Sequence, residues 1–421
     1  MRTLTLRVRE SFWFLPAVVG VLAIVAAEVL VGVDRAVLAA GVEIPFLDAL
    51  SASGGRSILT TIGSSMLTVA GTSFSITISV LATTSSTYGP RLVRNFMADR
   101  ANQAVLAAFT ATFLYAIVVL RSVHTDVDDG SAFVPVIAVH VAVLIGVLDV
   151  AVLVFFIHHI ASSVQVTSLQ KRVQVDLVDA VHEAYREADD DDVVVGAVPV
   201  RGTADGTAVR SDRDGYVQSV DWQRLVAWAI DHDQVVDVRA MPGDHVIEGD
   251  TLLAVGSVGT ARGDRPSATG RLDERAVAQL RAAVTTGTAR TPLQDVRFAL
   301  QQLVEIAVRG LASGSNDPYT AVSALDLSAT ALVPTWRDGR AVTGHRAADG
   351  TVRVVVHWPT PEELVDSLYE GVLTYGSDHP IVLRAALHLA GRLEASAPAG
   401  RHGYLDRTKA LLEQHLGAAS P

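Results

Sequence analysis

The sequence predicts an α-helical membrane protein with four transmembrane helices and a C-terminal cytoplasmic α+β region. Three observations carry this. Four apolar stretches in the first 165 residues can each span a hydrocarbon core, which takes about 20 residues of helix. Basic residues are unevenly shared between the flanks of those stretches. Beyond residue 165 the apolar residues stop running continuously and recur at strand and helix spacings.

The predicted spans cover about 12–33, 58–83, 104–120 and 133–157 of a transmembrane domain at 1–165. Arg2, Arg7 and Arg9 precede the first span, as in a signal peptide. Its apolar run is too long for a cleaved signal, and three spans follow, so it reads as a retained anchor. One set of flanks holds Arg2, Arg7, Arg9, Arg91, Arg94, Arg100, Lys171 and Arg172. The other holds Arg35, Arg56 and Arg121, diluted by Asp34, Glu43, Asp48, Asp126, Asp128 and Asp129. The positive-inside rule puts the first set, and both termini, in the cytoplasm.

Composition narrows the chemistry. The 421 residues exceed what one compact domain needs. With no cysteine, disulfides, thiolate metal sites and a cysteine nucleophile are excluded. A net charge of -11 argues against nucleic acid as a partner, because that partner needs a basic footprint. The partner expected on the apolar stretches is the lipid bilayer.

The second span is rich in hydroxyls. Thr61, Ser64, Thr68, Thr72, Ser75 and Ser79 recur at steps of three or four and share one helix face. Gly71, Ser75, Ser79 and Thr83 repeat every four, a small-residue ridge that admits close helix approach. This face either lines a hydrated pathway or packs on another helix with each hydroxyl bonded to its own backbone. The fourth span contains His140 and Asp149, which point to opposite sides of the helix and form no single site. Asp149 is the deepest acid. It reads either as an ion or proton contact, or as a neutral carboxyl or one hydrogen-bonded to second-span hydroxyls. His158 and His159 diverge by about 100° and are a poor metal pair. The loop at 126–130 lacks the acceptors of a calcium loop and reads as a hydrated acidic turn.

In order along the chain come SSMLTVAGTSFSI at 64–76, YGPRLVRNFMADRANQ at 88–103, FLY at 113–115 and FFIHHIA at 155–161. GYVQ at 215–218, PGDHVIEG at 242–249, QD at 294–295, QLVEIA at 302–307 and NDPYTA at 316–321 follow. This series resembles the bacterial predicted-membrane-protein family filed as domain of unknown function 2254, over nearly the whole chain. The resemblance implies a multispan bacterial membrane protein, located here in the plasma membrane, and carries over no activity or catalytic residue. The sequence departs from the family at 310–315, where GLASGS replaces an Ala-Leu-Ser-Pro-Gly-Ile run.

The C-terminal half reads as three segments. A helical stalk at 166–192 has an apolar face that must be buried against something, and self-association is one way to bury it. A small β-rich domain covers 193–258, and its Pro242-Gly243-Asp244 turn is similar to those of barrel-sandwich domains. No lysine sits in that turn, which excludes lipoyl or biotin attachment. A mainly helical domain covers 270–421. Asp295, Gln302, Glu305 and Arg309 lie on one of its helices, either as a solvated polar face or as a polar site shared with Asn316 and Asp317 in the next loop. Asp317 is also a natural N-cap before Pro318, and Thr360 to Glu363 forms a capping box.

No Walker A, His-Glu-x-x-His or Gly-x-Ser-x-Gly pattern is present, so nothing supports an enzyme, and no cofactor is indicated. The best functional reading is an oligomeric ion or small-solute channel gated by its cytoplasmic region. Four spans are too few to enclose a wide pore, which makes a homo-oligomer part of that reading. The alternative is a membrane-anchored sensor or scaffold whose cytoplasmic domain binds a ligand or protein partner.

Overall fold

The computed structural model describes residues 13–40, 50–88, 100–124, 133–163, 165–186, 191–196, 206–257, 272–312 and 316–419. The flanks carrying Arg2, Arg7, Arg9, Arg91 and Arg94, the acidic loop at 126–130, and the glycine-rich loop at 258–269 lie outside them. The chain forms two compact units, Met1–Ser168 and Leu169–Pro421.

The first unit holds four described helices long and apolar enough to cross a membrane: α1 (Phe14–Ala39), α2 (Ala52–Tyr88), α3 (Arg100–Arg121) and α4 (Val136–Ser163). Helix α3 is the most buried of the four and packs against the other three. Tyr115, Ala116 and Val119 of α3 meet Ala27, Val31, Leu59, Ala138, Val139 and Ala142 in one apolar cluster. Val105 and Phe109 meet Ala70, Phe156 and Ile160 in another. Gly20 lets α1 and α3 close up, since a Cβ there would lie 2.9 Å from Leu114. The start of α4 is capped from another helix: Asp34 of α1 accepts from the Ile137 and Ala138 N–H groups, both at 2.9 Å. The sequence reading counted Asp34 as a loop charge. Here it supplies the acceptors that the first turn of a helix lacks.

The second unit takes in α5 (Val166–Ala184) from Leu169 onward and then alternates. Its elements are β1 (Tyr185–Arg186), β2 (Val193–Val195), β3 (Thr207–Arg210), β4 (Gly215–Val220), α6 (Trp222–Asp231), β5 (Gln234–Val238), β6 (His245–Val246) and β7 (Thr251–Ser257). Then come α7 (Glu274–Arg281), β8 (Val284–Gly287), α8 (Val296–Leu311), α9 (Pro318–Arg337), β9 (Arg340–Arg346), β10 (Val352–Val355), α10 (Pro361–Tyr375), α11 (Pro380–Ser396) and α12 (Asp406–Ala419). The described strands make two sheets. The larger runs β1-β9-β10-β5-β7-β3, with β2 also on β9, and the smaller runs β6-β4-β8. Every pairing is antiparallel except β10 with β5, where Val354 faces Val236 and Val355 faces Asp237.

Three features differ from the sequence reading. Strands β9 and β10, expected in a separate helical domain, complete the sheet begun by β3, β5 and β7, so the two segments fold as one unit. The Pro242-Gly243-Asp244 turn leads to β6 in the small sheet and then to β7 in the large one, so it joins two sheets and belongs to no barrel-sandwich. The stalk helix α5 buries Leu169, Val173, Leu177 and Val181, and its glutamines reach α9: Gln170 donates to the Thr320 carbonyl at 2.9 Å and Gln174 to the Thr330 hydroxyl at 2.6 Å. Its apolar face is covered by its own chain and needs no second copy.

Candidate functional site

In α2 each residue turns about 100°, so the two sides of the helix can be compared directly. Leu59, Gly63, Ala70 and Ser73 are buried against the bundle, whereas Thr61, Ser64, Thr68, Thr72, Ser75 and Ser79 are all exposed on the roughly opposite side. Nothing lies within 4 Å of a Cβ placed on Gly71, the first residue of the small-residue ridge. The hydroxyls of Thr61, Ser64, Thr68 and Thr72 donate to the carbonyls of Ser57, Thr61, Ser64 and Thr68 at 2.8–3.2 Å. Their protons therefore point inward along the helix and their oxygen lone pairs outward. Other outward faces are apolar, as with Val21, Leu22 and Val25 of α1 and Leu144, Val147 and Leu148 of α4.

Asp149 does not join that face. It is buried inside the bundle, and its Oδ2 has no partner among the described residues. Asn102 of α3 is also buried, with both amide atoms unpartnered among the described residues. His140 is half-buried, with Nδ1 2.8 Å from the carbonyl of Val136 on its own helix.

In the second unit the six predicted residues do not form one site. Asp295 caps α8 through the Phe298 N–H at 2.9 Å and forms a two-point ion pair with Arg290 at 2.7 and 2.9 Å. Asp317 caps α9 through the Tyr319 and Thr320 N–H groups, and Asn316 before it is left-handed at φ 44°. Helix α8 lies between Asp295 and Asp317, and its 16 residues put them about 24 Å apart. Gln302 is buried with its Oε1 unpartnered among the described residues, and Glu305 and Arg309 are half-buried along the helix. The hydrogen bond from the Thr320 hydroxyl, followed by those from backbone N–H groups, holds the Asp317 carboxyl below its ordinary pKa.

A cluster that the sequence reading missed lies where the two parallel strands end. Strand β5 reads Val235-Val236-Asp237-Val238, buried on both faces, as expected of a central strand. Its single acid is 2% exposed. Asp237 Oδ1 is 2.7 Å from His357 Nε2, and Oδ2 is 2.8 Å from Arg239 Nη2. His357 leaves the end of β10 on the same side of the sheet as Asp237, because Val355 is paired with Asp237 and side chains alternate. Its backbone N–H donates to the Met241 sulfur at 3.5 Å. The side chains of Arg239 and His357 are 42% and 53% exposed above this buried carboxylate. The signal available in sequence was the lone acid in a run of valines.

On the other side of β10, Trp358 meets Trp222 edge to face at 5.9 Å, and Trp222 stacks on His345 at 5.2 Å. The Trp222 indole donates to Glu183 at 2.8 Å. Burial pushes the His345 imidazole below its ordinary pKa, outweighing the opposing pull of Glu183 and Asp192. A pocket between α8, α9 and α10 is lined by Leu303, Ala307, Leu325, Leu368 and Val372. It is apolar and about 20 Å³, which holds little more than one water-sized group. No group of three His, Asp or Glu among the described residues is placed to hold a metal ion.

The family described as Predicted membrane protein (DUF2254) matches residues 9–391. Uncharacterized proteins of Mycobacterium tuberculosis (strain ATCC 25618 / H37Rv) and Mycobacterium bovis (strain ATCC BAA-935 / AF2122/97) are 32% identical to it over 339 residues. The match covers 79% of this chain and 62% of each relative, so this chain aligns with under two thirds of their length. No solved structure matches.

Proposed function

The chain belongs to the DUF2254 family of predicted membrane proteins, and from that premise we propose that it is a homo-oligomeric conduit for ions or small solutes. In this reading it sits in the bacterial plasma membrane with both termini cytoplasmic, and its second unit gates the path. One observation carries the proposal: the hydroxyl face of α2 points away from its own bundle, while the neighbouring outward faces are apolar. Four helices cannot enclose a wide pore, but several copies placing α2 around a common axis would bring these faces together. With the hydroxyl protons spent on the backbone, the outward lone pairs favour cations over anions. Asp149, inside the bundle, then acts as a separate intramembrane site. The test is ion flux in proteoliposomes. Valine at Ser64, Thr68, Thr72 and Ser75 together should abolish cation flux from protein that still folds and assembles. Undiminished flux removes α2 from the pathway.

The second reading, a membrane-anchored sensor, is favoured by a different observation: the buried Asp237 with exposed Arg239 and His357 above it. The two readings are compatible, since a gating domain needs a ligand site.

A further inference from the structure

We propose that Arg239 and His357, braced by Asp237, form a binding site for a phosphoryl group. The proposal rests on the sensor reading and supplies the chemistry of its ligand.

Position is the first argument. In open α/β sheets, ligands bind outside the carboxyl ends of the parallel strands. The parallel pair here is β5 with β10, and Arg239 and His357 are the residues that leave those two ends. Both are held by one carboxylate, so they lie within two hydrogen bonds and a carboxylate's width of each other.

The second argument is the proton inventory. An ionised carboxylate accepts and cannot donate, so His357 Nε2 carries the proton it shares with Asp237. In the tautomer that gives its one ring proton to Asp237, the second nitrogen, Nδ1, is an acceptor. The guanidinium of Arg239 offers donors and no acceptor. A ligand that satisfies both must accept from arginine and donate to histidine, which calls for an anion that keeps a proton. A phosphoryl group, whose second pKa is about 6, exists partly in that form near neutral pH. A sulfate or a carboxylate has no such proton. The buried Asp237 fixes the ring orientation and tautomer on which this discrimination depends.

The test is calorimetric titration of the full chain in detergent near neutral pH, with inorganic phosphate and inorganic sulfate as probes. The expected result is phosphate binding at least tenfold tighter than sulfate, weakened at least tenfold by His357→Phe and by Arg239→Gln. Asp237 is left intact in both variants so that its buried carboxylate keeps one partner. Folded wild-type protein that takes up no phosphate at millimolar concentration overturns the proposal. So does sulfate binding as tightly as phosphate, which needs no variant to read, or phosphate binding that neither substitution alters. Native mass spectrometry of the protein as purified separates this failure from that of the sensor reading. A bound molecule without phosphorus, together with no phosphate binding, overturns the phosphoryl site and leaves the sensor reading standing.

Discussion

Replacing Gly243 by alanine puts a methyl carbon where the Asp295 carboxylate already is. The new Cβ would lie 2.3 Å from Oδ2, 2.5 Å from Cγ and 2.8 Å from Oδ1. The residue also sits at φ +101°, where a side chain costs about 1–3 kcal/mol whatever the space. The backbone cost stays, but the clash can be relieved if Asp295 swings away, so the cost of losing its contacts is an upper bound. Those contacts are a helix cap worth about 1 kcal/mol and an ion pair with Arg290. Breaking a buried pair costs about 3–5 kcal/mol, and the 23% exposure of Arg290 puts this one at the low end. Gly243→Ala should therefore destabilise the second unit by about 5 kcal/mol, which at this size lowers Tm by about 10–20 °C. In an Asp295→Ala background the same substitution should cost only the backbone term, about 1–3 kcal/mol. Tryptophan fluorescence on heating reads this well, because Trp222, Trp228, Trp336 and Trp358 are in the second unit and Trp13 alone is in the first. An equal loss in both backgrounds would refute the argument that Asp295 is what the methyl group meets.

Other outcomes follow from the same geometry. The buried His345 has a lowered folded pKa, so the unfolded chain binds more protons below about 6.5, and the stability of the second unit should fall as pH drops from there. His345→Phe keeps a ring on Trp222 and should flatten that slope in denaturant titrations at several pH values. A Cβ on Gly371 would lie 2.7 Å from Val304, so Gly371→Ala should cost about 1–3 kcal/mol by overpacking, and Val304→Ala should restore part of it in thermal unfolding. Asp34→Ala removes both acceptors from the first turn of α4 and should cost about 1–2 kcal/mol. Asp34→Asn should recover part of that in SDS-driven unfolding of the purified protein.

What could be read from the sequence divides by distance along the chain. The apolar helices were legible because a bilayer demands a continuous apolar run, and α1 to α4 all carry one. The Asp317 cap with Pro318 and the Thr360 capping box were legible because cap and helix are neighbours in sequence. The six-residue hydroxyl face of α2 was legible as a face, but the helical period cannot say which way a face points. The packing of Ala70 and Ser73 on the bundle settles that. The stalk illustrates the limit. The apolar face of α5 was visible, but the bonds from Gln170 and Gln174 to Thr320 and Thr330 of α9 were not, because no local pattern names a partner so far along the chain. Asp237 was hidden for the same reason, since its partner His357 is brought to it by the β5–β10 pairing alone.

That pairing also sets an order of events during synthesis. Strand β5 can pair with β7 soon after both leave the ribosome, but its other edge must wait for β10, which is made after α7 to α9. Until then a valine-rich edge stands open, the kind of edge that pairs with whatever strand arrives first. Joining distant segments is slow, because the loop between them must close before any contact rewards it. A chain released before Val355 would carry α1 to α4 and an unfinished sheet with that edge still bare. C-terminal truncation is therefore expected to cause aggregation rather than a smaller folded protein.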